Sequence, residues 1–184
     1  MNAVTKKAFS TYNIVYIGLF ACLIAVCSWI TIPGAVPFTL QTMGVFLAIG
    51  LLGGRRGTTA VLVYILLGTV GAPVFSGFKG GVGALLGPTG GYIIGFLASA
   101  LLMWAMEAAF GKGKWVLPVS MVLGLIVCYA FGTVWFQVVY TRGGNAITLT
   151  AVLLKCVVPF ILPDLGKIAV AMLLTSRLRR FIRP

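Results

Sequence analysis

Only two carboxylates occur in the 184-residue chain, Glu107 and Asp164, against 14 Lys or Arg. Asp164 stands three residues before Lys167 in an apolar run, so on a helix both project from one side. Each charge is expensive alone in a membrane, and pairing reduces that cost. Together they present an acceptor beside a donor, which suits a small polar group better than an ion alone. An intramembrane ionisable pair is by default a functional candidate, the alternative being an ion pair that serves packing only. Set in the first turn of a helix beginning near residue 162, Asp164 would also gain from the macrodipole. Glu107, close to Lys112 and Lys114, reads instead as a solvated face. Thr39, Gln41 and Tyr92 open apolar segments on the same side as Asp164, and Trp29, Phe38, Phe75 and Phe78 offer apolar walls. The composite is a partly apolar, outward-facing pocket with few polar groups.

Other chemistry is excluded by residue type. The chain has no histidine, which removes histidine-based metal sites and general bases. Cys22, Cys27, Cys128 and Cys156 lie inside apolar runs without metal-ligand spacing and read as small hydrophobes. Gly77-Phe78-Lys79-Gly80 lacks the spacing and the hydroxyl of a phosphate loop, and neither HExxH nor GxSxG occurs. A chain with one buried carboxylate has little means of hydrolysing ATP or peptides, so the expectation is a protein that is not an enzyme.

The elements that must position these residues follow from composition. Sixty per cent of the chain is hydrophobic and 9% charged, which marks an all-α integral membrane protein of one domain over residues 1–184. Its formal net charge of +12 sits in short loops between apolar runs, as topology determinants do, and does not imply nucleic acid. Spans are expected near residues 12–30, 41–52, 58–70, 91–110, 115–140 and 162–180, with a short outer helix near 148–157 set off by Pro159 and Pro163. Lys6, Lys7, Arg55, Arg56, Lys112, Lys114 and the arginines from Arg177 to Arg183 fall on one side, while Lys79 and Arg142 fall on the other. The positive-inside rule then makes both termini cytoplasmic.

Between the third and fourth spans lies a glycine-rich stretch, Gly68 to Gly95. Gly87, Gly91, Gly95 and Ser99 repeat every fourth residue, a ridge that lets another helix approach closely; Ser120, Gly124, Cys128 and Gly132 form a second. The middle, Pro73 to Pro88, is expected to be irregular backbone, tolerated at membrane depth only where it is buried or lines a cavity. That predicts a lid or cavity wall rather than a free external loop. In the first span Gly18, Ala21, Cys22 and Ala25 cluster on one helical face.

Four segments carry a family resemblance: PFTLQT at Pro37 to Thr42, GAPVF at Gly71 to Phe75, GPTGGYIIGF at Gly87 to Phe96, and PFILPDLGK at Pro159 to Lys167. In order and spacing they resemble the BioY family, the biotin-specific substrate-binding subunits (S components) of energy-coupling factor transporters, over essentially the whole chain. The family often has PGD where this chain has Leu162-Pro163-Asp164. The resemblance implies a prokaryotic plasma-membrane protein of six spans with an outward biotin pocket and no cofactor. It also implies partners: a transmembrane coupling subunit and two ATP-binding subunits. Asp164, Lys167, Tyr92, Gln41, Thr39, Lys79 and Gly90 are the expected ligand contacts. Ala21, Ala25 and Gly18 are the expected docking face for the coupling subunit, with internal packing of that face as the alternative. A self-contained ion-coupled carrier using Asp164, and an intramembrane enzyme, are the competing readings.

Overall fold

The computed structural model of the chain describes residues 11–34, 36–143 and 148–181. The expected topology residues Lys6, Lys7 and Arg183 lie outside them. The chain runs through α1 (Thr11–Trp29), a two-stranded antiparallel hairpin β1 (Thr31–Ile32) and β2 (Phe38–Thr39), then α2 (Gln41–Leu52) and α3 (Gly54–Thr69). It continues with α4 (Val82–Leu86), α5 (Gly90–Phe110), α6 (Val116–Arg142), α7 (Leu149–Cys156) and α8 (Val158–Leu178).

Among the described residues four helices, α1, α5, α6 and α8, are long and apolar enough to cross a membrane. With 12 residues α2 spans roughly 18 Å, and α3 with 16 roughly 24 Å, against a hydrocarbon core of about 30 Å. α2 is the centre of the bundle: it packs against α1, α3 and α8, and of its residues only Met43 is not buried. A single residue, Gly53, turns the chain from α2 into α3 with φ +82°, a conformation open to glycine.

α3 starts at Gly54, earlier than the expected 58, although Arg55 and Arg56 then stand in its first turn, where the macrodipole disfavours positive charge. Glu107 from α5 supplies the compensation. Its Oε2 accepts the Gly54 N–H at 2.6 Å, and its Oε1 lies 3.6 Å from the Lys112 ammonium. The reading of Glu107 as a merely solvated face is therefore corrected: it caps a helix 53 residues away.

α5 and α6 form the most extensive helix pair, and the two ridges of small residues meet there. Ser99 Oγ donates to the Gly124 carbonyl at 2.5 Å, and a Cβ on Gly95 would lie 3.1 Å from the Cys128 Cα. α8 begins at Val158, four residues before the expected start, because Pro159 occupies the first turn, where its missing N–H costs nothing. Pro163 is carried inside the helix. Asp164 consequently lies in the second turn, and the macrodipole argument for it falls away. The middle of the glycine stretch is not wholly irregular either, since α4 occupies five of its residues.

Candidate functional site

These elements border a cavity of about 790 Å³. Its wall draws on the hairpin, the start of α2, the segment from Phe75 to Thr89, the first turns of α5, the middle of α6, the end of α7 and the first half of α8. The irregular backbone between Phe75 and Gly80 faces this cavity, a setting in which a bilayer tolerates it.

Asp164 and Lys167 line this cavity while being only 3% and 6% exposed. The Lys167 ammonium is 2.7 Å from Asp164 Oδ1, donates to the Thr39 carbonyl at 2.5 Å, and sits 3.9 Å from the centre of the Phe38 ring. Tyr129 donates to the other oxygen, Asp164 Oδ2, at 2.5 Å. Each carboxylate oxygen therefore has one protein donor and a lone pair to spare, and the ammonium has used two of three protons. A ligand with an N–H beside a carbonyl could be met at both.

Gln41 is fixed next to this pair by its neighbours: its backbone N–H reaches Thr39 Oγ1 at 3.2 Å and its Nε2 donates to the Tyr64 hydroxyl at 2.9 Å. Tyr92 reaches across from α5, its hydroxyl donating to the Cys156 carbonyl at 3.4 Å. The Cys156 thiol at the end of α7 is held neutral, because burial raises its pKa more than Lys155 lowers it. Lys79 lines the cavity from the loop and is exposed.

The structure thus brings Asp164, Lys167, Tyr92, Gln41, Thr39 and Lys79 to one cavity. Gly90 does not line it: a Cβ at this position would run into the Leu85 carbonyl, so its role is the close approach of α4 to α5. Of the expected aromatic walls, Phe75 lines the cavity, Phe38 lies under Lys167, and Trp29 and Phe78 stack on each other outside it. Tyr129 was not foreseen. Nothing in local spacing connects it to Asp164, 35 residues on.

The expected docking face also needs correction. Ala21 and Ala25 are 2% and 4% exposed within this chain, on a helix that packs against α2 and α3. They are internal packing positions, because side chains this small allow neighbouring helices to close over them. Gly18 has open space where a Cβ would stand, and the lipid-accessible face of α1 carries Val15, Leu19, Cys22 and Val26.

A polytopic helical protein with a largely apolar cavity and a buried ion pair in its wall is a membrane-embedded binding protein for a small molecule. The BioY family profile matches residues 3–184, and the chain belongs to the BioY family. It is 42% identical over 164 residues to the biotin transporter BioY of Thermotoga maritima, covering 89% of this chain and 93% of that protein. With the probable biotin transporter BioY of Pyrococcus horikoshii it shares 37% over the same length and the same coverage. The fold matches the crystal structure of the S-component for biotin from an ECF-type ABC transporter, with a TM-score of 0.82 and 28% identity over 94% of this chain and 95% of that one. The chain is a multi-pass membrane protein of a transporter family, not an enzyme.

Proposed function

We propose that this chain is the biotin-binding S component of an energy-coupling factor transporter. In that assembly a transmembrane coupling subunit and two ATP-binding subunits supply the energy for uptake. The observation that carries the reading is the cavity itself, with a buried, paired carboxylate and ammonium in its wall. The ureido ring of biotin offers N–H donors for Asp164 and a carbonyl for Lys167, and its thioether ring and alkyl chain suit the apolar wall formed by Ile93, Phe96 and Leu125. Among the described residues the charged groups lining the cavity are Lys79, Asp164 and Lys167. Asp164 and Lys167 neutralise each other, which leaves one positive charge, on Lys79, for the carboxylate of a monoanion.

Titration of the detergent-purified chain with biotin, without ions or nucleotide, is the test. Saturable one-to-one binding is expected, and Lys79→Met should weaken it by about 1 kcal/mol, roughly fivefold, as for an ion pair at an exposed position. A folded chain that takes up no biotin would end this reading.

In the membrane α2 and α3 complete six crossings, their missing length being supplied by the hairpin and by the loop after α3, which border the cavity. Both termini lie in the cytoplasm, since Arg55, Arg56, Lys112, Lys114, Arg177, Arg179 and Arg180 gather at the ends away from the cavity. A cysteine at position 113, with the four native cysteines removed, should be labelled only after permeabilisation. Labelling in intact cells would invert the topology.

A further inference from the structure

The loop that carries Lys79 is hung from the outer end of α1. Ser28 Oγ, fully buried, donates to the Val74 carbonyl at 2.5 Å, and the Trp29 indole N–H donates to the Pro73 carbonyl at 2.9 Å. Thr31 and Ser76 join their hydroxyls at 2.8 Å. Three successive ties thus pair residues 28, 29 and 31 with residues 73, 74 and 76.

From that anchorage the position of Lys79 follows. The Phe75 N–H donates to the Lys79 carbonyl at 2.9 Å, closing a tight turn between them. Phe75 is itself closely packed: it is 2% exposed, its ring meets Tyr64 edge-on at 5.6 Å, and it occupies the space that a side chain on Gly68 would need. Phe78, next to Lys79, is the only non-glycine residue with positive φ (+57°) among the described residues, a conformation that persists only where the surroundings enforce it. Trp29 meets this residue too, its ring stacking on that of Phe78 at 5.1 Å and 25°. Trp29 therefore grips the turn on both limbs, through Pro73 and through Phe78. Neither Ser28 nor Trp29 lines the cavity.

The geometry points to Ser28 and Trp29 as positioning residues: they act on ligand affinity through Lys79, by fixing the turn that presents its ammonium to the ligand's carboxylate. This rests on the carboxylate reading above. It makes the outer end of α1 a determinant of selectivity for acids over neutral analogues, a role that no contact with the ligand reveals.

The experiment compares biotin with biotin amide, which keeps the ureido ring and lacks the charge. Ser28→Ala, Trp29→Phe and their combination are titrated with both, alone and with Lys79→Met. Trp29 is 36% exposed, so Trp29→Phe disturbs no core and keeps the stacking ring while removing the N–H. The combined variant should lose about fivefold in biotin affinity, the share of an exposed ion pair, with less than a twofold change for the amide. With Lys79→Met already present, no further loss is expected. Equal losses for both ligands, or full additivity with Lys79→Met, would reduce Ser28 and Trp29 to structural ties and overturn the inference. A native chain that binds biotin and the amide equally would overturn the carboxylate assignment itself, and the inference with it.

Discussion

Lys167→Met should abolish biotin binding and destabilise the purified chain by roughly 3–5 kcal/mol, the scale of breaking a buried ion pair from one side. The substitution leaves the Asp164 carboxylate 3% exposed with Tyr129 as its one remaining hydrogen-bond donor in the protein. Asp164→Asn should be milder, because the amide oxygen still accepts from Tyr129 or Lys167 while the ammonium keeps the Thr39 carbonyl and the Phe38 ring. A loss of roughly 1–3 kcal/mol in binding is expected there, as for a hydrogen bond to a charged group. The double variant Asp164→Leu, Lys167→Met separates folding from function. Removing both charges together leaves no buried charge, only the Tyr129 hydroxyl and the Thr39 carbonyl without their partners, so much of the stability lost in Lys167→Met should return. Binding should not return, since the ureido ring then finds no partner. Thermal unfolding and titration of the three variants decide the matter: native affinity in the double variant would leave the pair a packing role only.

Gly132→Ala should be nearly as damaging for a steric reason. A Cβ at Gly132 would overlap the Tyr92 ring, which lines the cavity from the facing helix, and Gly91 has the same relation to Trp135. Inserting carbon into so tight a contact costs typically 1–3 kcal/mol, and here the displaced group is part of the binding wall. Biotin affinity should therefore fall more than stability alone would require, by about tenfold or more, taking 1.4 kcal/mol as one decade. Gly124→Ala is the internal control on the same helix and ridge. Its Cβ would meet Ser99 Cβ at 3.4 Å, an ordinary contact, and should leave both stability and binding near native. Equal tolerance at 124 and 132 would show that the close α5–α6 approach does not shape the cavity.

These two sites differ in how far they can be read from the sequence. Asp164 and Lys167 are legible because three residues on a helix is a fixed geometry, and a charge in an apolar run is rare enough to notice. The glycine ridge of α6 is legible as a smooth face, but the ring that fills it is not, since Tyr92 lies on another helix. Ala21 and Ala25 show the limit of the same signal. A row of small residues says that something approaches closely, and here it is this chain's own neighbouring helices that cover it.

By itself the sequence determined the local and the collective: apolar runs long enough for membrane helices, basic residues gathered between them, one intrahelical ion pair, and motifs specific to a family. Composition and helical spacing set these, and neither depends on how the helices pack. Tertiary structure alone decided that Tyr129 reaches Asp164, that the Thr39 carbonyl meets Lys167 across 128 residues, and that Glu107 caps α3. It also decided that Ser28 and Trp29 hold the loop of Lys79. Each is a hydrogen bond between distant segments, made because a buried polar group must find a partner wherever packing leaves one. Spacing along a chain carries no record of which partner that is.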